Sequence, residues 1–230
     1  MRANMKTSKI KNSALLFISV LVIISTVFSL ASCKGTGGVF NREYDEGEVS
    51  AAAEELIKKS EILNEIYWGK GIPYVEDPNL SNGAYYPADE TYLKNIGIET
   101  IDDLKAKTKE VFSSDMCEWV FESVLSSVGT GTSVYLSRYV QQYGGEDLNE
   151  PEYILVNKNY RIMLPDTVVY DYGSIRVIGS SGDLVTVNID CTVTNSDGDN
   201  SKKTISVDLI EESGGWRIAT PTYTVYSSEK

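Results

Sequence analysis

The 230-residue chain contains no histidine. That absence excludes Ser-His-Asp and Cys-His catalysis, histidine-ligated zinc and a histidine pH switch. Cysteine is scarce: Cys33, Cys117 and Cys191, with no C-x-x-C spacing. A sequence-legible zinc ribbon or dithiol redox pair is therefore missing. Basic residues are outnumbered, with 21 Lys and Arg against 33 Asp and Glu. An excess of acid argues against nucleic acid as a partner. There is no G-x-S-x-G, no Walker loop and no dinucleotide fingerprint. With 42% apolar residues the composition is nevertheless that of a globular protein.

What is present begins at the N-terminus. Arg2, Lys6, Lys9 and Lys11 precede an apolar run of 17 residues, Ala14 to Leu30, and no acid accompanies them. Seventeen residues sit at the lower limit for a transmembrane helix. A positive start, an apolar core and small residues before a cut define a secretory signal instead. Leu30-Ala31-Ser32-Cys33 resembles a bacterial lipobox, where a prolipoprotein is acylated on cysteine and cleaved just before it. Residues 1–32 then read as a lipoprotein signal peptide, and Cys33 as the lipidation site. The resemblance implies an anchor in the bilayer from the extracytoplasmic side, because two acyl signals hold a protein stably where one does not. Loss of four basic residues leaves 17 Lys and Arg against 33 Asp and Glu, a formal charge of −16. The remaining Cys117 and Cys191 read as buried thiols, with a disulfide as the alternative.

Residues 33–49 are rich in Gly, Asn, Asp and Glu and read as a flexible tether. The stretch 50–226 reads as one α+β domain. Ser50 is an N-cap for a helix over 51–67, and Thr100 with Asp103 forms a capping-box pair opening a second. A third helix is predicted from Asp115 to Ser127, burying Met116, Trp119, Val120 and Val124. Between the first two lies a tyrosine-rich segment from Gly71 to Glu99, with short strands predicted near 84–86 and 91–93. From Ser133 the pattern turns to strands, with 134–143 ambiguous. Strands are predicted at 153–157, 160–164, 167–172, 174–178, 184–194, 204–211 and 216–221, with a possible extension at 223–226. The segment 184–194 alternates five apolar residues, Val185, Val187, Ile189, Cys191 and Val193, with polar ones, the signature of a half-buried strand. Helices segregated from a meander of strands argue for helices packed on one face of a curved antiparallel sheet.

The helix–strand order and the closing Gly215-Trp216-Arg217-Ile218 strand resemble the NTF2-like (cystatin-like) fold. A narrower likeness is carried by Tyr67-Trp68, the tyrosine-rich segment, Thr100-Ile101-Asp102-Asp103-Leu104 and Val111-Phe112-Ser113, which are similar to IseA-type proteins. That resemblance implies a non-catalytic binding protein that inhibits a peptidoglycan DL-endopeptidase. The NTF2-like resemblance implies as its alternative a small-molecule or isomerase-like pocket, for which Tyr67 and Asp190 are the pair to examine. Asp190 lies on the polar side of its strand, which argues against that pairing. The acidic doublets Glu54-Glu55, Asp102-Asp103 and Glu211-Glu212 are neighbours that do not converge, and Asp197-Gly198-Asp199-Asn200 reads as a hairpin turn rather than a calcium loop. No cofactor and no metal site is expected. The preferred binding residues are Trp68, Tyr74, Tyr85, Tyr86 and Tyr92, because flat amphipathic rings are enriched in contact hot spots.

Overall fold

The computed structural model describes residues 44–77, 81, 83–126, 128–130, 133–135, 137–142, 153–160, 167–195, 197–212 and 214–222. Cys33, most of the tether and the strands predicted at 160–164 and 223–226 lie wholly or largely outside these residues. No described helix is long and apolar enough to cross a membrane.

Helix α1 runs Glu46–Tyr67. It starts before the predicted Ala51 because Asp45 is the stronger cap: its carboxylate accepts from Gly47 and Glu48 backbone N–H groups. Ser50 then continues the helix, and Val49, assigned above to the tether, is buried. The buried stripe comprises Val49, Ala53, Leu56, Ile57, Ser60, Leu63, Asn64, Ile66 and Tyr67. Glu54 and Glu55 face solvent and pair with Lys58 and Lys59 one turn on.

Strand β1 (Tyr85–Pro87) and helix α2 (Glu90–Asn95) lie in the tyrosine-rich segment. The strand predicted at 91–93 is thus a helix, because Asp89 caps Thr91 and Tyr92. Helix α3 (Ile101–Val111) carries the expected capping box between Thr100 and Asp103. Helix α4 (Ser114–Val124) is capped by Ser113, and Glu212 also accepts from the Ser114 backbone N–H. Met116, Val120 and Val124 are buried as predicted, but Trp119 is 39% exposed.

Strands β2 (Val128–Thr130) and β3 (Ser133–Tyr135) form a hairpin. Strands β4 (Tyr139–Gln142) and β5 (Tyr153–Asn157) join β1 in the order β1-β5-β4, all antiparallel. The main sheet is the expected meander: β6 (Thr167–Ser181), β7 (Leu184–Thr194), β8 (Asn200–Glu212) and β9 (Gly215–Ile218), again antiparallel. Strand β6 merges the two strands predicted at 167–172 and 174–178. A bulge between Asp171 and Arg176 absorbs the extra residues, and there Ser174 Oγ accepts from the Asp190 N–H.

The five alternating apolar residues of β7, Val185 to Val193, are all buried, joined by Ile205, Val207 and Leu209 of β8. Each fully buried Val or Ile contributes about 1.5–3 kcal/mol, so a one-residue slip of β7 would expose the whole row. Helix α1 packs against β6 and β9, the two edges of the sheet, and so lies across its inner face. A bridge from Phe112 to Ile218 ties the α3–α4 junction to β9. The outer face of β7 and β8 is polar: Thr186 donates to Asp208, Ser206 to Asn188 and Thr204 to Asp190. The described residues therefore form an α+β domain.

Candidate functional site

The C-terminal end of α1 sets the geometry of the tyrosine-rich segment. A helix leaves its last carbonyls without partners, and α1 has no basic residue in its final turn. Strand β4 and the residue before it supply what is missing. Arg138 donates from Nη1 to Tyr67 O at 2.8 Å and from Nη2 to Gly69 O at 2.7 Å. The Tyr139 hydroxyl donates to Ile66 O at 2.6 Å and accepts from the Ile72 N–H at 3.0 Å. Arg138 is 2% exposed and has no carboxylate partner among the described residues. The negative end of the helix dipole and the rings of Tyr160 and Tyr139, with centroids 4.9 and 5.6 Å from the guanidinium carbon, stabilise the buried cation instead.

From this fixed point Pro73–Val75 runs antiparallel to β1. Tyr74 bridges Ala88, Val75 N–H donates to Pro87 O, and Asp89 N–H donates to Pro73 O. The pairing sets Tyr74 beside Tyr86, with ring centroids 5.6 Å apart and planes at 32°. Strand β1 pairs with β5, which brings up the turn after Asn157. Lys158 Nζ there donates to the Tyr86 hydroxyl at 3.1 Å and lies 4.8 Å from its ring centroid. That hydrogen bond, with the nearby tyrosines and Glu76, holds the Lys158 ammonium above its ordinary pKa. Val75, 50% exposed, completes a surface patch of two rings, one aliphatic side chain and one cation.

The five binding residues expected from the sequence do not form one surface. Tyr74 and Tyr86 come together. Tyr85, next along β1, points the other way, as strand alternation requires, and donates to Ser137 O at 2.8 Å. Tyr92 sits on α2, half-buried against the core, and burial raises its hydroxyl pKa. Trp68 is 1% exposed and belongs to the core. It stacks on Trp119 at 5.5 Å and meets Tyr67 edge-on at 5.6 Å. Trp68 therefore presents no face to a partner. Lys158, Val75 and the supporting Arg138 were not legible in the sequence, since each is placed by long-range pairing.

Tyr67 and Asp190 do not converge. The Tyr67 hydroxyl is hydrogen-bonded to Thr108 Oγ1 at 2.7 Å inside the core, and burial pushes its pKa well above the tyrosine range. Asp190 is on the outer face of the sheet, where Thr204 and Arg176 hold its carboxyl below the usual range. Cys117 and Cys191 are free, buried thiols, and burial pushes Cys117 up to about 11. The turn at 197–199 is organised by Asn195, whose side-chain oxygen accepts from Asp197 and Asp199 N–H groups, with Gly198 at φ +86°. Among the described residues no group of three acidic or thiol side chains is placed to hold a metal ion.

The arrangement defines a class: an α+β domain with a rigidly supported aromatic–cation patch on its surface. Comparison with protein-family models, curated proteins and solved structures finds no match to the chain.

Proposed function

We propose that the mature chain is a lipid-anchored binding protein of the extracytoplasmic membrane face, without catalytic activity, and that Tyr74, Val75, Tyr86 and Lys158 dock its partner. The observation that carries this reading is the Tyr74–Tyr86 pair under Lys158, held on paired backbone rather than on a free loop. Rigid rings lose little entropy on binding, which suits them to contact hot spots. Helix α1, 22 residues and about 33 Å long, separates the chain entry at Tyr44 from the end that supports the patch. The IseA-like sequence features make a peptidoglycan DL-endopeptidase the partner to test first.

Membership of the NTF2-like family belongs to the same proposal. A long helix across an antiparallel meander that closes on Gly215-Trp216-Arg217-Ile218 supports it. Fold alone does not set function, so the alternative of an isomerase-like pocket is weighed on the site. Val185, Val187, Ile189, Val207 and Leu209 have no exposure and the Tyr67 hydroxyl is already engaged, which favours a docking surface over a pocket.

The test is capture of peptidoglycan hydrolases from cell-wall extract on the immobilised mature protein, with their activity measured on purified wall. The expected result is capture with inhibition, lost in a Tyr86→Ala, Lys158→Ala double variant whose circular dichroism is unchanged. Equal capture by that variant would remove the patch from the reading. Absence of hydrolases from the captured material would remove the partner.

A further inference from the structure

A second feature of the surface is independent of the aromatic patch. A groove of about 650 Å³ runs between α4 and the β8–β9 end of the sheet. Its size is in the range of small-ligand sites. The buried Phe112 and Cys117 lie at its base and the half-buried Phe121 along it. Cys117 keeps its proton at neutral pH, so it serves as apolar floor rather than nucleophile.

The charges around this floor are separated by wall. On one side stand two cations, Lys109 at the end of α3 and Arg217 of β9. Arg217 Nε donates to Lys109 O at 2.8 Å and its Nη1 to Trp216 O at 2.7 Å, which fixes the Arg217 guanidinium beside the backbone of Lys109 at the end of α3. Neither has an ion-pair partner among the described residues. Glu212 of β8 also lines the groove, with both carboxylate oxygens engaged by Ser114, and leaves the side of Lys109 and Arg217 with one positive charge in excess. On the other wall α4 presents Glu118 and Glu122, one turn apart and both exposed. Like charges at this spacing weaken a helix by a few tenths of a kcal/mol. Conflicts of this kind, without a structural gain, mark functional surfaces.

An apolar floor between a cationic and an anionic wall is complementary to a dipolar molecule with an apolar middle. We propose that this groove binds the free end of a short peptide, with its carboxylate at Lys109 and Arg217, an apolar side chain over Phe121, and a free ammonium group toward Glu118 and Glu122. The Arg217 Nη2 group, which makes neither backbone contact, is the donor left for the carboxylate.

The test is calorimetric titration of the full-length protein in detergent with the tripeptide alanyl-leucyl-alanine and with its C-terminal amide. The free peptide is expected to bind at least about tenfold more tightly than the amide, the value of one charge-assisted hydrogen bond. Lys109→Gln, at an exposed position, is expected to reduce free-peptide affinity by the same factor and leave the amide unaffected. Arg217→Gln is expected to do the same, but its contact with Lys109 O makes it the less clean variant. Tyr86→Ala is expected to change nothing, which separates this groove from the aromatic patch. Equal affinity for the two peptides, no heat of binding for either, or an inert Lys109→Gln would each overturn the proposal.

Discussion

Gly71 shows how one missing side chain organises the candidate site. Its φ is +85°, a region that residues with a Cβ enter at a cost of about 1–3 kcal/mol. Strain is only half of the constraint. A Cβ at this position would lie 2.2 Å from Arg138 Nη2 and 2.7 Å from the Tyr139 hydroxyl. Arg138 Nη2 is held by Gly69 O, just past α1, and the Tyr139 hydroxyl by Ile66 O within it, so neither can retreat without breaking a buried hydrogen bond. Gly182, in the β6–β7 turn, is the matched control: φ +63° with nothing within 4 Å. Gly182→Ala is expected to cost only the backbone strain. Gly71→Ala is expected to cost at least about 2 kcal/mol more, since hydrogen bonds to charged groups contribute about 1.5–3 kcal/mol. Urea unfolding of the two variants measures the difference. Equal costs would mean that Arg138 yields and that the clamp under Tyr74 is soft.

Among the elements, α3 depends most visibly on its first turn. Thr100 Oγ1 accepts from the Asp103 N–H at 3.1 Å, and Asp103 Oδ2 accepts from the N–H groups of Thr100 at 2.8 Å and Glu99 at 3.1 Å. Thr100→Ala is expected to destabilise the protein by about 1 kcal/mol. Thr100 and the Glu99 backbone also hold the Asp103 carboxyl below its ordinary pKa. A lowered pKa gives stability that is present at neutral pH and lost as pH falls through the folded-state value. The acid limb of the stability curve should accordingly flatten in Thr100→Ala, as urea titrations between neutrality and pH 3 would register. This capping box was legible because its partners are three residues apart, and the same holds for β5 and for the alternation of β7. The patch was legible only as a supply of tyrosines. Which ring faces out is decided by the pairing of Pro73–Val75 with β1 and of β1 with β5, across separations that local pattern does not encode. Trp68 and Trp119 make the point sharply. They are stacked partners, yet the one expected at the surface is buried and the one expected in the core is half exposed.

For the molecule as a whole, acidity and buried tyrosine act together at high pH. Burial, opposed by Arg138, pushes the Tyr139 hydroxyl up to about 12, and burial also raises Tyr67 and Tyr170. Tyr170 donates to the Thr222 carbonyl, beside the buried Ser60 and Asn64, so its proton holds the end of the described chain against α1 and β6. In the unfolded chain tyrosine ionises near pH 10. Between that value and the folded-state one the native protein keeps protons that the unfolded chain has lost. The unfolded state then binds fewer protons, and stability falls as pH rises. Each such hydroxyl contributes up to about 1.4 kcal/mol per pH unit. Tyrosinate formation would also add negative charge to a chain already in excess of acid, which works in the same direction. Stability is therefore expected to hold from neutrality to about pH 9 and to fall steeply above pH 10, with absorbance of tyrosinate appearing together with unfolding rather than ahead of it. Tyr139→Phe removes hydrogen bonds to Ile66 and Ile72 and is expected to be less stable at neutral pH. Its slope between pH 10 and 12 is nonetheless expected to be shallower by one proton. Urea titrations of both proteins at pH 9, 10 and 11 separate the two effects, since the lost contacts shift the whole curve while the lost proton changes only its slope. An unchanged slope in Tyr139→Phe would show that the proton retained by the fold at high pH is not the one between α1 and β4.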